Sequence, residues 1–232
     1  MGFLLMKKFL ISGLAAALAF GAASANAATF VFKGDGGLQD VPTGNIAFDC
    51  GSVGADYCTA NDAAGFTYSK EGITFTAKGY ANNVAAQLVQ DIFPNNSGLA
   101  VLSEADGQQD QTQFDSKEAI EFVFTQAVTL FNIEFNAGND TDCSTPGSEG
   151  PCGNFDLYID NVLAGNFVAI DLLAGNFLGT SFRFVPTTAA AGFAIAQFQV
   201  TAANVVPIPG ALPLLLSGLA GLGFASRRKK TA

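Results

Sequence analysis

A chain of 232 residues with 20 acidic and 11 basic side chains carries a net charge of −9, and it contains no histidine. The missing imidazole excludes Ser-His-Asp and Cys-His nucleophilic machinery and every His-ligated metal site. The acidic balance argues against nucleic acid as a partner, because phosphates repel such a surface.

The first predicted element is a secretory signal helix within residues 1–27. Lys7 and Lys8 precede the apolar stretch 9–20, and small residues follow to Ala25-Asn26-Ala27. That is the charged, apolar and small-residue layout of a signal peptide, with cleavage expected after Ala27. Met6, directly before the two lysines, offers a second start codon beside Met1.

Residues 28–204 form the body, long enough for one domain with a sizeable core. All 20 acids lie here against five bases (Lys33, Lys70, Lys78, Lys117 and Arg183), so the body alone carries −15. Residues 73–77 alternate as a short strand. Residues 118–125 place Ile120, Phe122 and Phe124 on one face, and residues 128–135 place Phe131, Ile133 and Phe135 on one face. The short Gln126-Ala127 link predicts that these two are adjacent antiparallel strands. Residues 83–93 are the one stretch with a helical period, through Val84, Leu88 and Ile92. Asp160-Asn161, a pair that tolerates positive φ, predicts a two-residue hairpin between strands at 155–159 and from 162 onward. Strands at 181–185 and 193–200 complete the set. The fold class is therefore all-β, a β-sandwich with the jelly roll among its forms, its core filled by the body's 18 phenylalanines. Leu163-Ala164-Gly165-Asn166-Phe167 is repeated as Leu173-Ala174-Gly175-Asn176-Phe177, which reads as a local duplication.

The four cysteines, Cys50, Cys58, Cys143 and Cys152, allow three pairings. The local pairs are favoured, since each brackets a Gly/Asp/Pro-rich loop. A four-thiolate zinc site would put two to four residues between neighbouring ligands, against the seven and eight that intervene here. Two acid-rich loops, 104–110 (with Asp106 and Asp110) and 139–142, have the carboxylates and amides that a structural calcium ion takes, although neither follows the EF-hand pattern. No pair of carboxylates stands out as a glycosidase couple, and Gly34-Asp35-Gly36-Gly37 lacks the lysine and Ser/Thr of a phosphate loop. No enzyme is expected, and no other cofactor.

The tail, 205–232, has three parts. Val206-Pro207-Ile208-Pro209 separates the body from a 17-residue apolar run, 210–226, and Arg227-Arg228-Lys229-Lys230 follows. A helix of that length spans about 25 Å, enough for a slightly thinned bilayer, and the basic cluster stays on the cytoplasmic side. An uncleaved anchor is one reading of such a tail. The order of its parts also closely resembles the PEP-CTERM sorting domain of Gram-negative bacteria, with Ile208 standing where the family's motif has glutamate. The resemblance implies recognition and cleavage by an exosortase, a membrane protease. It implies transient anchoring in the inner membrane and a final address at the cell surface or in an extracellular polysaccharide matrix. Ser97-Gly98-Leu99-Ala100-Val101, with Glu118-Ala119-Ile120-Glu121-Phe122, is similar to patterns in the β-rich bodies that precede such tails. The expected role is adhesive or structural, in biofilm or envelope. The alternative is a lectin-like carbohydrate-binding module, which the absence of Trp and the presence of only four Tyr disfavour.

Overall fold

In the computed structural model, residues 27–34, 39–46, 57–92, 97–103, 117–137, 143, 152–170, 172–188 and 192–203 are described. The expected signal helix up to residue 26, the tail with its membrane helix, and both acid-rich loops lie outside them, while Ala27, the last residue of the expected signal peptide, opens the first strand. The described residues are all-β. In chain order the strands are β1 (Ala27–Val31), β2 (Tyr57–Thr59), β3 (Phe66–Lys70), β4 (Ile73–Ala81), β5 (Val84–Asp91), β6 (Gly98–Leu102), β7 (Glu118–Asn136), β8 (Asn154–Ile159), β9 (Val162–Val168), β10 (Phe177–Pro186) and β11 (Ala194–Ala202).

Three two-residue hairpins set the local register. Glu71-Gly72, Asn82-Asn83 and Asp160-Asn161 each hold both residues at positive φ, the requirement of a type I′ turn whose twist matches its flanking strands. Asp160-Asn161 is thus the hairpin its sequence predicts. The described part of the 83–93 stretch is not a helix: Val84–Asp91 form strand β5, its Val84 end pinned to Ala81 by the Asn82-Asn83 turn. The helical spacing of three apolar residues loses to β-pairing on both sides, with β4 and β6.

All eleven strands belong to one sheet, ordered β1-β11-β6-β5-β4-β7-β10-β8-β9, with β2 on β5 and β3 on β4. An additional β11–β7 pairing closes β11-β6-β5-β4-β7 into a ring, a barrel with sheet extensions. Strand β7 makes this closure. Residues 118–136, expected as two strands joined at Gln126-Ala127, run on as one 19-residue strand. Its first half pairs with β4 and its second half with β11, while β10 lies along the other edge. A turn at Gln126-Ala127 would need residues that accept positive φ, and neither does so readily.

The inward set within β7 also differs from a single alternation. Ile120, Phe122, Phe124, Val128 and Leu130 are buried, but the phase then shifts to Ile133 and Phe135, leaving Phe131 half-buried. The cause is a bulge at Asn132, whose φ is 49° and whose side chain donates to Gln199 Oε1.

Phenylalanine fills the interior as expected. Phe75 meets the rings of Phe30, Tyr68, Phe122, Phe124 and Phe198 at 4.8 to 5.6 Å. A second group, Phe135, Phe155, Phe184 and Phe193, joins the first through the Phe122–Phe184 contact at 5.9 Å. The Gln90 amide at the centre is satisfied. Gln90, fully buried, donates to the carbonyls of Phe32 and Asp40 and accepts from the Tyr68 hydroxyl. Gly98 sits at the closing seam between β6 and β11. A Cβ there would come within 2.3 Å of the Ile195 carbonyl, and its φ of 115° suits glycine alone.

Candidate functional site

The barrel's inward alternation turns Lys78 of β4, Glu121 of β7 and Arg183 of β10 outward. Phe122 on β7, flanked by Glu121, and Phe184 on β10, flanked by Arg183, are buried. Register then makes neighbours of residues far apart in sequence. Lys78 pairs with Glu121, Glu121 with Arg183, and Arg183 with Tyr158. These four residues form a row across β4, β7, β10 and β8, with Tyr80 two places along β4.

Specific contacts fix the row. The Tyr80 hydroxyl donates to Glu121 Oε2 at 2.6 Å. The Arg183 guanidinium lies over the Tyr80 ring, 4.4 Å from its centroid, and Arg183 Nη2 donates to Asn83 Oδ1 at 2.9 Å. Asn83 reaches that position because the β4–β5 turn holds it at φ 62°. Burial, and then the Glu121 carboxylate, push the Tyr80 phenol up to about 12.

Beside Arg183 a cavity of about 150 Å³ is lined by Asn82, Asn83, Lys117, Glu118, Ala119, Arg183 and Val185. It is smaller than the usual ligand cleft of about 300–1,000 Å³, and so fits one small ring or a substituent of a larger ligand. Of the body's five bases, Lys33 and Lys70 form ion pairs with Glu134 and Asp40. The other three, Lys78, Lys117 and Arg183, stand in this row or line this cavity. The arrangement offers cationic and amide donors, two glutamates and an aromatic ring partly covered by a guanidinium. Such groups can hydrogen-bond hydroxyl or oxyanion groups.

The residues expected to carry function fall elsewhere. Val206, Pro207, Ile208, Pro209, Arg227, Arg228, Lys229 and Lys230, with Cys50, Asp106 and Asp110, lie outside the described residues. Cys143 and Cys152 are bonded, with Cα atoms 5.3 Å apart, which is the local pairing. Cys58 is buried and disulfide-bonded as well. Among the described residues no group of three or more His, Cys, Asp or Glu is arranged to hold a metal ion.

Alternation alone marks Lys78, Glu121 and Arg183 as outward, each between inward residues. Their meeting depends on strand order, which local sequence does not encode. No protein-family model, curated protein or solved structure matches the chain.

Proposed function

We propose that this chain is a non-enzymatic protein exported across the inner membrane of a Gram-negative bacterium, sorted by its PEP-CTERM-like tail to the cell surface or extracellular matrix. The observation that carries the reading from the structure is the Cys143–Cys152 cystine within an all-β body. Disulfides persist in oxidising compartments and are rare in the cytosol. The signal-like residues 1–27 and the tail supply the route. An exosortase-type membrane protease cuts near residues 207–209 after the 210–226 helix has held the chain in the membrane. We read the closed sheet as a flattened, jelly-roll kind of sandwich with an adhesive or structural role in biofilm or envelope. Calcium at Asp106 and Asp110 would stiffen the 104–110 loop.

The test is fractionation of the native host with and without that protease. The reading expects the body at the surface or in the medium of the parent, and a tail-bearing form held in the inner membrane of the mutant. The same distribution in both strains would overturn it.

A second reading, a carbohydrate-binding module, is favoured by the Tyr80–Arg183–Asn83 patch and its cavity. Its ligand would present hydroxyl or carboxylate groups of an extracellular polysaccharide. Pull-down on the host's own polysaccharide, lost in Arg183→Ala, would support it. Equal retention of the variant would remove it.

A further inference from the structure

Among the described residues four strands, β1, β2, β3 and β9, have one edge not continued by another strand; β2 has only three residues, and the chain treats the other three edges differently. At β1, the Val31 amide donates to Asp40 Oδ2, the Val31 carbonyl accepts from the Asp40 amide, and Lys70 Nζ donates to the Thr29 carbonyl. At β3, the Thr67 amide donates to the Gly44 carbonyl, and the Thr67 carbonyl accepts from the Thr43 amide. Both edges are capped. At the other end of the sheet β9 pairs only with β8, and no backbone bond from the described residues meets its outer side.

That open edge is apolar and uncharged. Of eight large hydrophobic residues exposed among the described residues, six lie between 162 and 178: Val162, Leu163, Val168, Ile170, Leu172 and Leu178. Between Asn161 and Phe182 the only charged residue is Asp171. Natural sheets guard such edges with lysine, proline, bulges or a covering segment. β9 has neither lysine nor proline. Its register shift lies near Leu163, and pairing from Gly165 to Val168 is regular.

We propose that β9 is a docking edge for β9 of a second copy, the two strands pairing antiparallel about a two-fold axis. Two observations select this occupant. The exposed side chains lie on both faces of the strand: Val162 stands opposite Ile159 on the inward face, while Leu163 stands opposite Tyr158 on the outward face. A strand added in the plane of the sheet covers both faces, whereas a sheet stacked on one face covers only one. The self-complementarity of an uncharged, apolar edge selects the second copy. Bodies of −15 each repel over most of their surface, and β9 brings them together where neither carries a charge. A two-fold interface places the same patch on both sides, so an apolar edge meets an apolar edge.

The test is sedimentation of the full exported protein, purified from its host in mild detergent, across the micromolar range. The expected result is a dimer that a Leu163→Lys/Val168→Lys double variant weakens by roughly a hundredfold. Val84→Lys, at a residue 67% exposed on β5, is expected to leave it intact. A wild-type protein monomeric throughout, or a double variant as dimeric as wild type, would overturn the proposal. Amide exchange of residues 162–168 in the unmodified protein covers the case of a variant that fails to fold. Protection there must rise with concentration, and protection independent of concentration is the overturning result.

Discussion

Arg183 and Tyr80, 103 positions apart in the sequence, stack with the guanidinium 4.4 Å from the ring centroid. The contact exists because β7 lies between β4 and β10 and carries Glu121, which accepts from Tyr80. Arg183→Ala is expected to cost about 1 kcal/mol in urea unfolding, from the cation–π contact and the bond to Asn83. Arg183→Lys should recover little of it, since an ammonium lacks the planar face that stacks on the ring. Full rescue by lysine would contradict this geometry.

High pH should expose the same site. Tyr80 is raised from 10.0 to about 12, and Tyr68 is held well above 10.0, first by its complete burial and then by Asp40. A phenol whose folded pKa is raised contributes stability that is complete below the unfolded value and is lost as pH climbs through the folded one. The urea midpoint is therefore expected to fall between pH 10 and 12, and to fall less in Tyr80→Phe. An equal loss in that variant would show that Tyr80 is not the group involved.

Asp160 predicts the opposite dependence. Its carboxylate accepts from the Thr180 hydroxyl at 2.6 Å and from the Thr180 and Ser181 amides at 2.9 Å each, which holds its pKa below the usual 3.8. A lowered carboxylate contributes stability that is present above its unfolded pKa and is lost as pH falls through its folded one. Asp160→Asn keeps a residue that tolerates the turn's φ of 49°. It should cost up to about 1 kcal/mol at neutral pH, reduced by solvent exposure, and progressively less as pH falls below 3.8 through the lowered folded pKa, so that neutral pH and the acid limit of folding differ most. Unfolding curves at the two pH values decide the point.

Much of the fold is legible in the sequence, and its failures have physical causes. Period-two runs give strands at 73–77, 155–159 and 181–185, and Asp160-Asn161 gives its turn, because these signals are local. Residues 83–93 mislead because three apolar residues at helical spacing say nothing of the strands waiting on either side. Gln126-Ala127 misleads because a surface crossing between two pairing partners resembles a loop. The candidate site is illegible for a further reason, that Lys78, Glu121 and Arg183 become neighbours only through strand order. The Leu-Ala-Gly-Asn-Phe repeat has a structural consequence that duplication alone does not suggest. In each copy the phenylalanine folds over its own glycine, and Phe167 and Phe177 meet edge to face at 5.6 Å.

Two phenylalanines of β7 that both precede the Asn132 bulge stand in opposite phases, Phe122 inward and Phe131 outward. Phe122, fully buried and in contact with Phe75, Phe184 and Phe198, should cost about 3–5 kcal/mol when truncated to alanine. Phe131, half-buried, should cost well under half of that. Comparable losses for the two would place Phe131 in the core and refute its outward phase.

The Cys143–Cys152 cystine closes a short loop, with a sequence separation of 9. Chain entropy assigns it about 2–3 kcal/mol. Cys143→Ala/Cys152→Ala should lower the unfolding free energy by at least that amount, since both side chains are also buried in the core cluster; an unchanged urea midpoint would contradict it.

The most direct test of the central claim is the intact mass, under non-reducing conditions, of the protein from its native host after separation of membrane, surface and medium. The account predicts a disulfide-bonded species that begins at Ala28, ends near residues 207–209, and lies outside the membrane fraction. A species that keeps Arg227 to Lys230 and stays in the inner membrane, or one with four free thiols, would contradict it.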